Sequence, residues 1–371
     1  MKQILLYCRA GFEGETAAEF GALAEKYENW GFIRAEKDSG YAIYETYNDA
    51  AAADLGQIPL RSLIFARQLI HGEIINFNPE DRISPIIAAV AVLPEFSEIR
   101  LETLDTNEGK ELNRLAKKLS TPLCKALEKQ KKLTKNQAAP ILHVCLFSGS
   151  QAFVGISDRK RHSPYLNGIL RLRQPSAAPS RSTLKLDEAL LTFFSQAELE
   201  ARMQSGMKAV DLGACPGGWT YQLVRRGLFV SAVDNGQMAA SLMDSGQVKH
   251  FAQDGFSFDP KRKPISWISR QFANGKRLQW PENAPCEWLV CDIADKPRRV
   301  VHMLVDWFKQ GNTRNAIVNL KLPMKSRWEE VQTCMKILRD ELPDGMIIKA
   351  KHLYHDREEI TVFVGYPKMN G

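Results

Sequence analysis

A short apolar segment in the second half of the chain runs directly into a glycine-rich turn and then into a helical segment. Ala209 to Leu212 is predicted as a strand, the turn is Asp211-Leu-Gly-Ala-Cys-Pro-Gly-Gly-Trp219, and Gly217 to Arg226 is predicted as the helix. A turn of this kind lets a ligand approach the backbone and the N-terminus of the helix. The segment therefore predicts a ligand-binding strand–turn–helix unit.

The alternation of strand-like and helical segments continues to the end of the chain. Further strands are predicted at Phe229 to Asp234, Lys249 to Gln253, Glu287 to Asp292, Ala316 to Leu320, Met346 to Ala350 and Ile360 to Gly365, and helices at Arg298 to Phe308 and Trp328 to Leu338. This pattern is typical of an α/β fold with a mostly parallel sheet and helices on both faces. In such sheets the ligand lies beyond the carboxyl ends of the strands, so we expect the chemistry there.

The first half of the chain has a different, α+β pattern. Strands are predicted at Gln3 to Cys8, Phe32 to Arg34, Tyr41 to Glu45, Glu98 to Glu102, Leu142 to Phe147 and Ala152 to Ile156, and helices at Glu15 to Glu28, Ile83 to Leu93 and Asn107 to Lys118. Pro175 and Pro179 lie among Ser and Ala in a strip that is typical of a linker. The predicted organisation is an α+β subdomain at residues 1–80, a second domain at 81–173, a linker at 174–181 and the α/β domain at 182–371.

The net charge of +7 hides two strongly basic stretches. Lys110 to Lys135 carries nine Lys or Arg against two acids, and Arg159 to Lys185 carries seven Lys or Arg and no acid. Such clustering is expected of a protein that binds a polyanion such as nucleic acid. Lysine-rich helix faces are also common in soluble proteins, so charge alone leaves a solvated surface as the alternative.

Composition argues against several other classes of protein. Apolar stretches such as Ile86 to Leu93 are far shorter than the roughly 20 residues that span a bilayer, and Met1 to Cys8 lacks the features of a secretory signal. The seven cysteines contain no C-x-x-C pair, which argues against a disulfide framework and a zinc ribbon. We therefore expect a cytoplasmic protein that starts at Met1 and has neither a membrane segment nor a metal.

Acidic residues follow the second and third strands of the α/β half. Asp234 ends the second strand, at the position where α/β nucleotide-binding proteins hold a pair of ribose hydroxyls, and Asp254 follows the third. The dinucleotide pattern G-x-G-x-x-G is not met, because Cys215 stands where the second glycine belongs. The pattern disfavours NAD and favours another nucleotide-like ligand.

Charged residues also end the fourth and fifth strands. Asp292 ends the fourth, and Lys321 follows the Val-Asn-Leu of the fifth. Two further motifs flank them, Ser180-Arg-Ser-Thr-Leu-Lys-Leu-Asp-Glu188 and Asp356-Arg-Glu-Glu-Ile360. Together with the glycine-rich turn, these motifs resemble those of the FtsJ-like Rossmann-fold RNA 2'-O-ribose methyltransferases, over residues 180–366.

The resemblance implies an enzyme that depends on S-adenosylmethionine. It implies a Lys-Asp-Lys-Glu tetrad at Lys185, Asp292, Lys321 and Glu359, in which Lys321 accepts a proton. It also implies cofactor contacts at Ser182, Cys215, Pro216, Gly217, Gly218, Asp234, Asp254 and Asp292. Proton removal by Lys321 requires an amine that is neutral part of the time; a neighbouring cation and exclusion of water favour this state, and the two carboxylates oppose it.

The first half of the chain indicates which group of these methyltransferases the protein resembles. A ferredoxin-like subdomain and a THUMP-like RNA-binding domain ahead of the Rossmann-like half are similar to the bacterial RlmM-type enzymes, which methylate the 2'-hydroxyl of one cytidine in the peptidyl-transferase loop of 23S rRNA. The implied partner is 23S rRNA or a large-subunit precursor, with a monomer favoured. Two alternatives remain open: a ribose methyltransferase that acts on tRNA or another rRNA site, and a catalytically silent ribosome-assembly factor that binds RNA.

Some residue assignments have competing interpretations. An isolated Lys185 would be a helix-surface lysine, and Glu358 competes with its neighbour Glu359 for the last place in the tetrad. Trp219 and Trp288 are predicted to lie in the core, with stacking on a nucleotide as the alternative.

A base methyltransferase is the main chemical alternative. Cytosine-C5 enzymes carry a Pro-Cys after the fourth-strand acid, and enzymes that methylate exocyclic amines carry Asn or Asp before Pro-Pro there; this chain has Asp-Ile-Ala-Asp starting at Asp292. A ribose target is therefore favoured, and Cys215 is interpreted as part of the cofactor loop. The basic segment Pro260 to Pro285, with Trp267 and Trp280, is interpreted as an insertion that covers the sheet edge or touches RNA.

Overall fold

The computed structural model describes residues 2–261 and 286–367. The chain divides into two compact units, Met1–Leu170 and Arg171–Gly371, and the described residues of each unit form one seven-stranded sheet. Within these ranges no helix combines the length and the apolar character needed to cross a membrane. Residues 262–285 of the predicted insertion, including Trp267 and Trp280, lie outside the described residues.

The first unit has an α+β fold, as the sequence predicted. Its elements are β1 (Gln3–Tyr7), α1 (Glu13–Lys26), β2 (Gly31–Ala35), β3 (Tyr41–Thr46), α2 (Asp49–Leu55), β4 (Gln68–Asn76), α3 (Ile83–Ala91), β5 (Glu98–Thr103), α4 (Asn107–Lys129), β6 (Ile141–Leu146) and β7 (Gln151–Ser157). The strand order is β2-β3-β1-β4-β7-β6-β5. Neighbouring strands are antiparallel except for the parallel pair β5 and β6.

Strand β4 joins both parts of the first unit into a single sheet. It pairs with β1, where Ile70 lies opposite Leu5, and with β7, where Gly72 lies opposite Gly155. A Cβ on Gly72 would lie 2.2 Å from the carbonyl oxygen of Val154, so the close approach of the strands requires glycine here. Sequence analysis did not predict this strand, because glycine interrupts its apolar pattern. The domain bounds at residues 80, 173 and 181 stay predictions.

Helix α4 extends farther than the sequence predicted. It was expected to end at Lys118, but it runs through Pro122 to Lys129. Proline in a helix interior costs about 3 kcal/mol because it removes a hydrogen bond and crowds the preceding turn. Buried Leu119, Leu123 and Leu127, four residues apart on one helix face, pack into the core and offset that cost.

The second unit is a mostly parallel α/β sheet, which confirms the predicted fold class. Its elements are α5 (Thr183–Phe193), α6 (Gln196–Arg202), β8 (Lys208–Leu212), α7 (Gly218–Arg225), β9 (Phe229–Val233), α8 (Ala240–Met243), β10 (Val248–Phe251), β11 (Cys286–Cys291), α9 (Pro297–Lys309), β12 (Thr313–Lys321), α10 (Arg327–Glu341), β13 (Ile347–Lys351) and β14 (Glu359–Gly365). The strand order is β10-β9-β8-β11-β12-β14-β13. Only β14 runs antiparallel to its neighbours among these strands.

Both faces of the second sheet are buried, as expected for a sheet covered by helices on each side. Trp288 and Val290 of β11 belong to a core cluster with Trp219 of α7 and with residues of α5 and α6. Leu289 and Cys291 alternate with them along the strand, point to the opposite face and are also fully buried. The prediction that Trp219 and Trp288 lie in the core is confirmed.

Candidate active site

Four charged side chains meet at the carboxyl ends of β11 and β12. Lys185 lies in the first turns of α5, Asp292 directly follows β11, Lys321 ends β12 and Glu359 begins β14. Because β14 runs antiparallel to β12, its first residue lies opposite the last residue of β12, and the register pairs Lys321 with Glu359. The structure thus brings together all four residues of the predicted tetrad.

Each lysine of the tetrad contacts both carboxylates. Lys185 Nζ lies 3.3 Å from Asp292 Oδ2 and 2.5 Å from Glu359 Oε1. Lys321 Nζ lies 2.9 Å from Asp292 Oδ1 and 3.6 Å from Glu359 Oε1. Lys321 is the most exposed of the four side chains, at 27%, and Glu359 the least, at 7%. The tetrad is therefore a largely desolvated, charge-balanced cluster with one lysine open to an incoming group.

The tetrad holds Lys185 in its charged form. Burial of Lys185 favours the neutral amine, but attraction to Asp292 and Glu359 outweighs burial, and the pKa of Lys185 is raised. Lys185 is thus a permanent cation next to Lys321.

The structure distinguishes the two neighbouring glutamates. The Glu358 side chain is 60% exposed and pairs with Arg327 Nη2 at 2.5 Å. The Glu359 side chain is 7% exposed and contacts both lysines. Side chains alternate along a strand, so only one of two adjacent residues faces the tetrad.

The glycine-rich turn is tied to Asp234 at the end of β9. The N–H of Cys215 donates to Asp234 Oδ2 at 3.0 Å, and the N–H of Gly236 donates to Asp234 Oδ1 at 2.7 Å. Gly217 has φ +117°, and a Cβ there would lie 2.2 Å from Leu242 Cδ1. The positive φ and the close approach of Leu242 both favour glycine at this position of the turn.

Ser182 and Asp254 lie near the same sheet edge. A Cβ on Gly218, the first residue of α7, would lie 2.0 Å from Ser182 Oγ, so this hydroxyl sits at the N-terminus of the helix, next to Pro216 and Gly217 of the turn. The Asp254 carboxylate accepts the N–H of Phe256 at 3.2 Å and caps its own loop. The next residue, Gly255, packs against Leu212 and Ile293, which brings this loop to the ends of β8 and β11.

The Cys215 thiol is a poor nucleophile in this setting. Burial and the nearby charges of Asp234 and Asp211 raise the pKa of Cys215 to about 11. The thiolate, which is the reactive form, is therefore scarce at neutral pH. This supports the interpretation of Cys215 as a loop residue.

Sequence analysis did not assign two polar residues at this edge. Asp211 of β8 accepts the Thr220 hydroxyl at 2.6 Å through Oδ2, and its buried Oδ1 has no hydrogen-bond partner among the residues that the structure describes. Burial, with the charges of Asp292 and Asp234, raises the pKa of Asp211 to about 7. Asn319 Nδ2 donates to Asp292 Oδ1 at 3.0 Å. Its position two residues before Lys321, and so on the same strand face, is a sequence signal that points to it.

Metal ligation is a separate question from the tetrad. In residues 2–261 and 286–367, no group of three or more His, Cys, Asp or Glu side chains is arranged to hold a metal ion.

Three family models match successive parts of the chain. Residues 1–70 match the RlmM ferredoxin-like domain, and residues 81–158 match the N-terminal domain of ribosomal RNA large subunit methyltransferase M. Residues 178–334 match the FtsJ-like methyltransferase family, and this range contains three of the four tetrad residues. The ferredoxin-like and FtsJ-like assignments are confirmed, and the THUMP-like character of the middle segment stays a prediction.

Full-length relatives show the same relationship. The chain is 45% identical over 377 residues to a protein of Pseudoalteromonas translucida (strain TAC 125), with 100% of this chain and 98% of the relative covered. It is 46% identical over 371 residues to a protein of Shewanella sp. (strain W3-18-1) and 47% identical over 371 residues to one of Shewanella halifaxensis (strain HAW-EB4), with 98% of this chain and 97% of each relative covered. All three relatives are named ribosomal RNA large subunit methyltransferase M, and this chain therefore belongs to that methyltransferase family.

Proposed function

We propose that this protein transfers a methyl group from S-adenosylmethionine to the ribose 2'-hydroxyl of one cytidine in 23S rRNA, with Lys321 as the proton acceptor. The observation that carries the proposal is the tetrad, in which two lysines share two carboxylates beside a glycine-rich turn. The names of the relatives support large-subunit rRNA as the substrate class. Free 23S rRNA and a large-subunit precursor are both included in that class.

The residues beside the tetrad fit S-adenosylmethionine. When bound, this cofactor supplies an electrophilic methyl group on a positively charged sulfur. The buried, unpartnered Oδ1 of Asp211 is an acceptor suited to a cationic or hydrogen-bond-donating ligand. Asp234 has one N–H on each carboxylate oxygen, which leaves lone pairs for ribose hydroxyls. The residues proposed to hold the cofactor are Ser182, Cys215, Pro216, Gly217, Gly218, Asp234, Asp254 and Asp292.

Lys321 is suited to accept the hydroxyl proton. Lys185 contacts Glu359 at 2.5 Å, against 3.6 Å for Lys321, so Glu359 pairs more closely with Lys185 than with Lys321. A neutral Lys321 amine would take the proton from the ribose oxygen as the bond from oxygen to the methyl carbon forms; the bond from that carbon to the cofactor's sulfur would break, and its electron pair would stay on sulfur. Asp292 orients both lysines. General-base assistance of this kind contributes about 10²- to 10⁴-fold in rate.

The basic stretch of the first unit supports an RNA partner. Lys117, Lys118, Lys125 and Lys129 of α4 are all exposed. Exposed lysines bind phosphates and supply affinity that falls with salt, but little choice of sequence. We therefore propose that RNA shape selects the cytidine. We also propose that the protein acts as a monomer in the cytoplasm.

The proposal is tested with unmodified 23S rRNA and S-adenosylmethionine. Wild type, Lys321→Ala and the control Lys336→Ala, which removes an exposed lysine of α10, are compared by nuclease digestion and mass spectrometry. We expect one 2'-O-methylcytidine with wild type and the control, and a loss of about 10²- to 10⁴-fold in rate with Lys321→Ala.

Three results would contradict parts of this proposal. Normal turnover in Lys321→Ala excludes this residue as the base. Methylation of tRNA or of another rRNA position, in place of the expected cytidine, would show that the enzyme has a different target nucleotide. Binding of rRNA without calorimetric binding of S-adenosylmethionine makes the protein an assembly factor that does not catalyse methyl transfer.

A further inference from the structure

A second layer of polar side chains lies behind the tetrad. Asn319 of β12 and Thr361 of β14 are opposite each other in the strand register, two residues from Lys321 and Glu359. Side chains two residues apart in a strand share a face, so this pair continues the face that carries the tetrad into the interior. Asn319 and Thr361 are both fully buried, and Asp356, just before β14, is 1% exposed.

Hydrogen bonds connect this layer to the tetrad in a single line. Asn319 Nδ2 lies 3.0 Å from Asp292 Oδ1, and Thr361 Oγ1 lies 2.8 Å from Asn319 Oδ1. Thr361 Oγ1 also lies 2.9 Å from Asp356 Oδ2 and 3.2 Å from Asp356 Oδ1. The line therefore runs from Asp356 through Thr361 and Asn319 to the carboxylate that contacts both lysines.

The order of donors and acceptors along this line is determined by valence. The Asp292 carboxylate, which accepts from two lysines, must face the NH2 group of Asn319. The amide oxygen of Asn319 then faces Thr361, whose hydroxyl has one proton and donates it there. Thr361 Oγ1 is left as an acceptor, and a proton between it and Asp356 must come from Asp356.

The surroundings of Asp356 agree with a protonated carboxyl. Its side chain is buried, and burial, together with the charge of Glu359, raises the pKa of Asp356 well above its usual value. Asp356 Oδ2 also accepts the backbone N–H of Leu353 at 3.0 Å.

We propose that Asp356 is a neutral carboxylic acid at the head of a relay, Asp356–Thr361–Asn319, that orients the Asp292 carboxylate between the two lysines. With its Oδ1 held by Asn319, Asp292 presents Oδ1 to Lys321 and Oδ2 to Lys185. The three relay members are positioning residues that act through Asp292. Their effect on catalysis rests on the proposed methyl transfer, whereas the protonation of Asp356 does not.

The first test interrupts the relay at Thr361. Thr361→Val keeps the shape of the side chain and removes the hydroxyl, and Thr361→Ser keeps the hydroxyl. With saturating S-adenosylmethionine and 23S rRNA, we expect Thr361→Val to lower kcat about 10- to 100-fold, because a misplaced group at the reacting centre costs that much. Thr361→Ser should restore most of kcat. Equal kcat in wild type and Thr361→Val would overturn the relay.

The second test distinguishes a neutral Asp356 from a charged one. Asp356→Asn supplies an oxygen for the Leu353 N–H and an NH2 donor for Thr361, so it should retain kcat, whereas Asp356→Leu should lower kcat as Thr361→Val does. The infrared spectrum of wild type at neutral pH should contain a protonated-carboxyl band that Asp356→Asn lacks. If the spectra of wild type and Asp356→Asn do not differ in this band, or if Asp356→Asn is as impaired as Asp356→Leu, the proposal that Asp356 is neutral is wrong. The infrared result is independent of methyl transfer, so absence of activity in wild type would count against the proposed function alone.

Discussion

The two units each contain a dense polar network, and the networks differ in where they lie. In the first unit, Glu102 accepts from the Tyr7 hydroxyl at 3.1 Å and the Asn167 N–H at 2.8 Å. Glu102 also contacts His143 Nδ1 at 2.7 Å, and His143 Nε2 lies 2.8 Å from Ser157 Oγ. A Ser-His-Glu line of this kind has the composition of a hydrolase triad.

Burial separates the two networks in function. The side chains of Glu102, His143 and Ser157 are 0–3% exposed and pair across neighbouring strands β5, β6 and β7, so no substrate reaches them. The tetrad of the second unit lies at strand ends and keeps Lys321 27% exposed. The comparison teaches that the position of a polar network relative to the strand ends, and not its residue types, marks a candidate site of chemistry.

The largest expected effect is a loss of stability when the buried polar network of the first unit is disrupted. Glu102→Ala leaves three donors without their acceptor, two of them on the buried residues Tyr7 and His143, and we expect the free energy of unfolding to fall by about 3–5 kcal/mol in denaturant titrations. The affinity of the folded protein for S-adenosylmethionine should stay within about twofold, because the proposed cofactor residues belong to the second unit. Glu128→Ala, at an exposed position of α4, is the matched control. A loss no larger than that of the control would contradict a structural role for this network.

Asp211 is as buried as the polar network of the first unit, but it lies at the strand ends of the second unit, near the tetrad. The pKa of Asp211 is raised from 3.8 to about 7, so its carboxyl group binds a proton more tightly in the folded protein than in the unfolded chain. The resulting stabilisation is complete below pH 4 and is lost as the pH rises towards 7. Relative to Asp211→Asn, the free energy of unfolding of wild type should fall by up to about 4 kcal/mol between pH 4 and pH 8. Exposed Asp344→Asn should keep the wild-type pH profile; a flat difference for Asp211→Asn would contradict the raised pKa.

The two adjacent glutamates test the tetrad with the same chemical change. Glu359→Gln keeps the shape of the side chain but loosens the contacts that position both lysines, and we expect kcat to fall about 10- to 100-fold, equivalent to about 1.4–2.7 kcal/mol. Glu358→Gln removes one exposed ion pair with Arg327 and should leave kcat within about twofold. The measurement is methylation of 23S rRNA at saturating substrates. A larger loss in Glu358→Gln would reassign the fourth tetrad member.

The smallest effect is expected at an exposed ion pair of the first unit. Arg34 Nη2 lies 2.7 Å from Glu45 Oε2, but the Arg34 side chain is 56% exposed. Arg34→Gln should therefore lower the free energy of unfolding by about 0–1 kcal/mol, and high salt should remove the difference. A loss comparable to that of Glu102→Ala would show that burial does not separate the contributions of these two sets of contacts.

Much of the α/β half could be predicted from the sequence because its signals are local. Apolar strands bounded by turn residues, each followed by a charged side chain, marked Asp234, Asp292 and Lys321. Parallel strands end at a common edge, so residues far apart in the chain were expected to meet there. The structure brings Lys185, Asp292, Lys321 and Glu359 together at that edge.

The errors fall where distant contacts overrode local signals. Strand β4 was missed because Gly72 weakens its pattern, although the glycine is what allows β7 to approach. Helix α4 was predicted to end at Lys118, but it continues through Pro122 to Lys129 because the buried leucines beyond Lys118 pack into the core.

The sequence by itself determined the family, the alternation of strands and helices in the α/β half and the charged residues at the strand ends, because each depends on short motifs and local periodicity. The tertiary structure decided which glutamate faces the lysines, since that depends on the antiparallel register of β12 and β14. It also decided the buried acceptor at Asp211 and the line from Asp356 to Asn319. A hydrogen bond requires two atoms about 3 Å apart, and local sequence does not specify the long-range strand pairing that sets such distances.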